Sequence, residues 1–194
     1  MALKTLVKVG EVNNLSDARY CAGMGVDIIG FIFSHKERQA IAKEEYIAIT
    51  SWLEGPQFVA EFDHSSDEEI ESLAEELKFD FVQVSDASQA ARLQEKGLKV
   101  IYSHDPENGT TDLPPCYYLL LDSSKEIELR NDLLNEFSNE HEVLLGIGVS
   151  LETLDHLISE TEISGIHLKG NDEIRPGYKD YDELTDILEA LEND

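Results

Sequence analysis

Short apolar runs recur along the chain, and polar or small residues bound each of them. The runs at 27–33 and 118–122 are the clearest, because their apolar residues are nearly continuous. A run of this kind is typical of a parallel strand that is buried on both faces. Similar runs occur near 6–9, 57–62, 80–84, 98–102, 142–147 and 164–168. The pattern therefore predicts a series of buried parallel strands.

Stretches with helical spacing separate most of these runs. Apolar residues three and four positions apart form three clear helix faces: Ile70, Leu73, Ala74 and Leu77; Leu151, Leu154, Leu157 and Ile158; Leu184, Ile187, Leu188 and Leu191. This spacing is typical of an amphipathic helix packed on a core. Ser66, followed three residues later by Glu69, predicts a helix start, and Ser150 predicts another. Lys96 and Gly97 predict a helix end.

The alternation of strands and helices predicts the fold class. Eight strand–helix units in 194 residues indicate an α/β protein, a compact single-domain (β/α)8 TIM barrel that spans residues 1–194. One unit is irregular, because 104–115 has turn residues and no apolar stripe. We therefore expect the fifth helix to be reduced or missing. An open, doubly wound sheet is the alternative.

The charge restricts the partners. Fifteen basic residues against 41 acidic ones give a formal net charge of -26, and such a field repels nucleic acid and anionic membranes. No apolar run reaches the length of a membrane span, and the first residues lack the apolar stretch of a secretory signal. The two cysteines, Cys21 and Cys116, suit a reduced compartment better than a disulfide framework. We expect a cytoplasmic protein.

One carboxylate stands where α/β folds place their chemistry. Asp122 ends the predicted strand at 118–122, and the carboxyl ends of barrel strands form the active-site face. Asp63 and His64 end another strand and are candidates to line the same face. His104 lies in a predicted strand-end loop, where a solvated histidine is expected rather than a metal ligand. The sequence predicts no metal site.

With these motifs placed, the chain resembles the phosphoribosylanthranilate isomerases, barrel enzymes of tryptophan biosynthesis. Residues 7–18, Val-Lys-Val-Gly-Glu-Val-Asn-Asn-Leu-Ser-Asp-Ala, resemble the family's opening Val-Lys-Ile-Cys-Gly-Ile-Thr-Asn-Leu-x-Asp-Ala. The segments 25–33, 82–84 and 118–122 resemble its second, fourth and sixth strands, and 176–180 resembles its Pro-Gly-x-Lys-Asp. The similarity runs through essentially the whole chain.

The resemblance implies an Amadori rearrangement of an aminoaldose to an aminoketose, without metal or organic cofactor. In the family, the aspartate that ends strand six is the general acid, and the cysteine that ends strand one is the general base. Asp122 occupies the first position, but Gly10 occupies the second and has no proton acceptor in its side chain. Glu11 is the candidate substitute base, since partial burial raises the pKa of a carboxylate. Neighbouring strand residues point to opposite faces, so Glu11 need not reach the same space.

The resemblance also implies the substrate-binding residues. The family holds the substrate phosphate on glycine-rich loops after strands seven and eight, where this chain keeps Gly148 and Gly170 and has Lys169 in place of serine. Lys169 is a candidate for a charge-assisted contact with phosphate. Arg38 follows strand two, where the family uses an arginine on the anthranilate side of its substrate. Two further candidates lie on strands, namely Gln83 on the fourth and Lys8 on the first. For Lys8 we expect either a position near Asp122, as its charge partner, or an interior ion pair.

These departures leave the activity open. A positioned general base contributes roughly 10²–10⁴-fold to the rate, so we expect a phosphoribosylanthranilate-isomerase-like protein whose activity is weak or lost. The alternative is a catalytically silent barrel that binds a small anion or acts in regulation. A third hypothesis is an enzyme that uses the Asp122 face on a different sugar or phosphate. In each case the expected partner is a small phosphorylated or anionic metabolite, bound to a monomer or homodimer.

Overall fold

The computed structural model describes residues 2–33, 39–125, 130–169, 173–175, 178–179 and 182–193. Within them, eight parallel strands form a closed barrel in chain order. The strands are β1 Leu6–Gly10, β2 Ile28–Ile32, β3 Gln57–Glu61, β4 Phe81–Val84, β5 Val100–His104, β6 Tyr118–Leu121, β7 Val143–Leu145 and β8 Gly165–Lys169. The helices are α1 Leu15–Gly23, α2 Lys43–Thr50, α3 Asp67–Leu77, α4 Ala87–Glu95, α5 Asn131–Ser138, α6 Leu151–Glu160 and α7 Asp182–Ala190. A small antiparallel pair follows β8, with β9 at Glu173–Arg175 and β10 at Tyr178–Lys179.

The pairing of the first and last barrel strands closes the sheet. β1 pairs with β8 in parallel from Leu6 opposite Gly165 to Gly10 opposite Lys169. The predicted (β/α)8 barrel is therefore confirmed, and the open-sheet alternative is excluded. Ring closure leaves the barrel strands without an unpaired edge.

The fifth helix is missing, as the sequence predicts. After β5 the chain forms only a 3₁₀ turn, Pro106–Asn108, before it enters β6. Asp105 caps this turn by accepting a hydrogen bond from the Glu107 amide. The predicted starts and ends of the other helices agree with the structure: the Ser66 side chain accepts from the Glu69 amide at 3.2 Å, and Gly97 has a positive φ just after α4.

The barrel has two apolar regions. A large one fills the space between the strands and the helices, and Cys21 is fully buried there, as expected of a small core residue. A smaller one fills the barrel interior with Ile28, Val59, Phe81, Ile101, Leu120 and Leu144, each from a different strand. Since side chains alternate across a strand, the residue two positions further on each strand also points inward. Those positions form the next layer, towards the carboxyl ends.

Candidate active site

The inward-facing layer next to the apolar one, towards the carboxyl ends of the strands, consists of polar residues and glycines. Two positions beyond the six interior apolar residues stand Gly30, Glu61, Gln83, Ser103, Asp122 and Gly146. The change from an apolar residue to a polar residue or a glycine occurs on all six strands towards their carboxyl ends. It turns the carboxyl-terminal face of the barrel into a polar mouth, where barrel enzymes carry their active sites.

A buried ion pair lies beneath this mouth. Lys8 is fully buried, and its Nζ donates to Glu61 Oε1 at 2.6 Å. His167 Nδ1 lies 3.4 Å from the same ammonium. Glu61 Oε2 accepts a second hydrogen bond, at 3.1 Å, from the backbone N–H of Glu11. The lysine supplies the opposite charge that a buried carboxylate requires.

His167 is neutral in this environment. Burial lowers its pKa well below the usual 6.5, and the nearby charges of Lys8 and Lys169 lower it further. Its Nε2 atom is buried and has no hydrogen-bond partner among the described residues. A neutral imidazole avoids adding a second positive charge next to the buried ammonium of Lys8.

Two glycines make room for the Glu61 carboxyl group. A Cβ atom built on Gly10 would lie 2.8 Å from Glu61 Oε1 and 2.7 Å from His167 Cε1. A Cβ atom on Gly30, from the neighbouring strand, would lie 2.1 Å from Glu61 Oε1. These separations are shorter than van der Waals contacts. The carboxyl group of Glu61 therefore occupies the space beside residue 10, where a side chain on that residue would lie.

A second charged cluster lies at the rim. Lys169 Nζ donates to Asp122 Oδ2 at 2.6 Å and lies 3.4 Å from Glu11 Oε1. Burial disfavours the charge of Lys169, but Asp122, Glu11 and Glu61 outweigh this effect, so the pKa of the lysine is raised. Glu11 adopts a left-handed backbone conformation, with φ of 60°. The predicted acid, the predicted substitute base and the predicted phosphate ligand thus meet in one cluster.

A cavity of about 430 Å³ opens over both clusters, and we call it the mouth cavity. Glu11, Glu61, Gln83, Asp122 and Lys169 all line it. Gln83 Oε1 is buried and has no partner among the described residues. The structure thus places the candidates Asp122, Glu11, Gln83 and Lys169 around one space.

A smaller cavity of about 160 Å³, here called the rim cavity, lies on the other side of Asp122. The loop after β7 lines it through Gly146 and Val149, whereas Gly148 is not among its described lining residues. Gly148 has a φ of 67° in that loop, and its carbonyl accepts from Thr153 Oγ1 at 2.7 Å. Lys169 borders this cavity too, but so does Glu183, whose carboxylate opposes an anion.

The other predicted residues have different outcomes. Arg38 and Gly170 lie outside the described residues. Lys8 forms the interior ion pair with Glu61, which is one of its two expected roles; its side chain is 0% exposed and does not line the mouth cavity, and its contact with substrate stays a prediction. Asp63 lines the mouth cavity as expected, and the exposed His64 pairs with it at 3.2 Å.

His104 does not lie in a solvated loop. It is the last residue of β5, is buried, and its Nε2 lies 2.8 Å from the Gly109 carbonyl oxygen. The sequence missed this because the apolar run ends two residues before the strand does. Among the described residues there is no group of three or more side chains suited to hold a metal ion, and no helix is long and apolar enough to cross a membrane.

Glu61 is the mouth residue that the sequence interpretation missed. A signal existed, because Glu61 is the one charged residue inside the apolar run at 57–62. Alternation from the interior residue Val59 places it on the inward face. A charged side chain that points into a barrel interior requires a partner, and Lys8 on β1 is the corresponding residue.

Comparison with known proteins decides the family. The family model of N-(5'-phosphoribosyl)anthranilate (PRA) isomerase matches residues 7–190, nearly the whole chain. The chain belongs to the PRA isomerase family. A curated PRA isomerase from Maridesulfovibrio salexigens is 24% identical over 205 residues, which cover 97% of this chain and 99% of the relative.

Solved PRA isomerase structures share the fold. The enzyme from Thermus thermophilus superposes with a TM-score of 0.78 at 23% identity, covering 96% of this chain and 98% of that one. Another PRA isomerase, in complex with reduced 1-(o-carboxyphenylamino)-1-deoxyribulose 5-phosphate, has a TM-score of 0.75 at 20% identity over 95% and 97% of the two chains. At these identities the superpositions show the barrel and not the activity.

Proposed function

We propose that this protein is a PRA isomerase of tryptophan biosynthesis with weak activity, converting a phosphoribosyl amine to the aminoketose by an Amadori rearrangement. The observation that carries the proposal is the position of Asp122. It stands at the carboxyl end of β6 inside the mouth, where the family resemblance assigns the general acid. Membership of the PRA isomerase family supports the same reaction.

Binding of the substrate phosphate is assigned to Lys169. Its ammonium stands between the mouth and rim cavities, and a phosphate dianion competes with Asp122 for it. The amino terminus of α6 lies beside the rim cavity and adds positive potential. When Lys169 turns to the phosphate, the carboxyl group of Asp122 loses its ion-pair partner. In that state the carboxyl group of Asp122 is free to form a hydrogen bond with the ring oxygen.

Two features make the reaction slow. Gly10 has no side chain to act as the family's thiol base, and the carboxylates of Glu11 and Glu183 near Lys169 repel an anionic substrate. The loss of the family's positioned thiol lowers the rate by up to roughly 10²–10⁴-fold, depending on how well another group replaces it. We therefore expect turnover that is measurable but far below that of a relative with the cysteine.

The test is an isomerase assay with purified protein and PRA, followed by the fluorescence of the anthranilate group. Asp122→Asn is expected to lower kcat by about 10²-fold or more, because the amide does not donate the acid proton. Asp132→Asn, which changes an exposed carboxylate in the first turn of α5 that lines neither the mouth cavity nor the rim cavity, is the matched control and retains the wild-type rate. Absence of turnover by the wild type would refute the proposed activity.

A silent anion-binding barrel is the second candidate. The 2.6 Å contact of Lys169 with Asp122 favours it, because this ion pair holds the acid in place without substrate. Under this hypothesis ribose 5-phosphate raises the melting temperature of the wild type but not of Lys169→Met, while PRA is not converted. Lys43→Met, which removes an exposed lysine paired with Glu76, controls for the loss of one positive charge.

A further inference from the structure

We propose that Glu61 is the catalytic base of this barrel, in place of the thiol that residue 10 does not supply. This inference rests on the proposed function and adds a catalytic residue that the resemblance does not predict. It replaces the expectation that Glu11, the neighbour of Gly10 in sequence, is the substitute base.

The first argument is the shared space of Glu61 and residue 10. A Cβ atom on Gly10 would lie 2.8 Å from Glu61 Oε1. A functional group carried by residue 10 therefore projects into the region that this carboxylate fills from β3. The carboxylate reaches the region across β2 because Gly30 also lacks a side chain. A proton acceptor is thus present near the expected place, although it comes from another strand.

The second argument is the electrostatic environment. Lys8 Nζ contacts Glu61 Oε1 at 2.6 Å, so the buried carboxyl group has a positively charged partner beside it. Its other oxygen is oriented by the backbone N–H of Glu11. The group is only 7% exposed, yet it lines the mouth cavity together with Asp122. A carboxylate that is held in place and shielded from bulk water is well suited to remove a proton from carbon.

The third argument concerns Glu11. Its side chain is 29% exposed and lies 3.4 Å from Lys169 at the rim. Its backbone, in contrast, faces Glu61. Glu11 is therefore placed to position Glu61 and to hold Lys169, while Glu61 is the deeper of the two carboxylates.

The proposed step balances without an added reactant. Asp122 first opens the sugar to the protonated Schiff base. The C2′–H bond then breaks, and its proton bonds to a Glu61 carboxylate oxygen. The electron pair forms the C1′=C2′ bond of an enolamine, and the nitrogen takes the displaced π pair. Tautomerisation protonates C1′ and removes the proton of the 2′-hydroxyl, which gives the ketone. Glu61 then returns its proton to solvent, and Asp122 regains from solvent the proton that it gave to the ring oxygen.

The main experiment compares Glu61→Gln and Glu61→Asp with the wild type. Glu61→Gln is isosteric but does not accept the proton, so kcat is expected to fall by about 10²–10⁴-fold with KM changed by less than about threefold. This variant leaves Lys8 without its counter-charge, so the fold is checked by circular dichroism and thermal melting. Glu61→Asp keeps the negative charge but draws the carboxylate back by one methylene, and its fold is checked in the same way. It is expected to lower kcat by about tenfold or more.

A kinetic isotope effect separates a catalytic from a purely structural role. With substrate deuterated at C2′, Glu61→Asp is expected to show a larger primary isotope effect on kcat than the wild type, because proton removal becomes slower than the other steps. Glu95→Asp and Glu95→Gln, on the exposed end of α4, are the matched controls and keep the wild-type kcat. Glu11→Gln is expected to lose less activity than Glu61→Gln.

The outcomes are distinguishable. Wild-type turnover that survives, within about threefold, in a folded Glu61→Gln or Glu61→Asp overturns the assignment of Glu61 and leaves the proposed function intact. A loss that is greater in Glu11→Gln than in Glu61→Gln also overturns it. Absence of turnover by the wild type overturns the proposed function and this inference together.

Discussion

At the level of single residues, the buried part of the site consists of residues that compensate for one another in space and in charge. A glycine at position 10 removes a functional group, and a glutamate at position 61 fills the space. Glu61 in turn depends on Lys8 for charge and on Gly30 for room. The other three residues are buried within contact distance of Glu61, so a change in any one of them alters the environment of this carboxyl group.

The first residue-level prediction concerns Gly10→Ala. The new Cβ atom would lie 2.7 Å from His167 Cε1 and 2.8 Å from Glu61 Oε1. The buried ion pair limits how far Glu61 yields, so we expect the free energy of unfolding to fall by about 1–3 kcal/mol. Urea denaturation measures this change. The control is Gly23→Ala at the end of α1, where nothing lies within 4 Å of the added carbon, and an unchanged stability of Gly10→Ala would contradict the close packing.

The second residue-level prediction concerns pH. Burial and the charges of Lys8 and Lys169 lower the pKa of His167 well below 6.5, so the unfolded chain gains a proton near that pH and the folded chain does not. The stability from this group is complete above pH 6.5 and decreases as the pH falls below it. The expected decrease is about 1.4 kcal/mol per pH unit.

Urea denaturation at a series of pH values below 6.5 tests this dependence. His167→Gln is expected to show a shallower decrease than the wild type, because its side chain does not titrate. His64→Gln changes an exposed histidine and serves as the matched control, with a slope like that of the wild type. An equal slope in His167→Gln and the wild type would disprove the assignment.

At the level of elements, the sequence pattern and the structure agree closely. The apolar runs match the eight barrel strands, and the chain between β5 and β6 lacks a helix as predicted. Both features depend on local periodicity and turn residues, which a short window of sequence contains. Helix starts are equally local, as the contact of Ser66 with the Glu69 amide illustrates.

The element-level prediction is that Ser66→Ala destabilises the protein by about 1 kcal/mol, because the first turn of α3 loses its side-chain acceptor. Thermal melting or urea denaturation measures the change. Ser65→Ala, one residue earlier and outside the cap, is the matched control and is expected to stay within about 0.5 kcal/mol of the wild type. Equal effects of the two substitutions would show that the cap contributes nothing.

At the level of the whole molecule, the main electrostatic feature is the net charge of -26. Exposed carboxylates pair with the few available lysines and arginines, as in the contacts of Arg92 with Asp67 and of Lys96 with Glu71. The Asp67 contact, reinforced by Gln89, lowers the pKa of this carboxyl group to about 2. Most acidic residues have no such cation available, because the chain has 41 acidic residues and only 15 lysines and arginines. Their mutual repulsion opposes the compact state.

We therefore expect added salt to stabilise the protein. Raising NaCl from about 10 mM to about 1 M shortens the screening length from about 30 Å to about 3 Å, and the free energy of unfolding in urea is expected to rise. Urea is used because guanidinium is itself a salt. Equal concentrations of KCl should have the same effect, since screening is not ion-specific. A decrease in stability with salt would show that attractive pairs outweigh the repulsion.

By itself, the sequence determined the order of the strands, the missing helix and the position of Asp122, because periodicity and strand ends are local properties. It did not reveal that Glu61 meets Lys8, 53 residues away, or that Lys169 meets Asp122, 47 residues away. Each contact crosses one intervening strand, so it exists only once β1 and β3 pair with β2, and β6 and β8 pair with β7. The tertiary structure therefore decided which carboxylate stands beside residue 10, since that depends on strand register and on the space that two glycines leave.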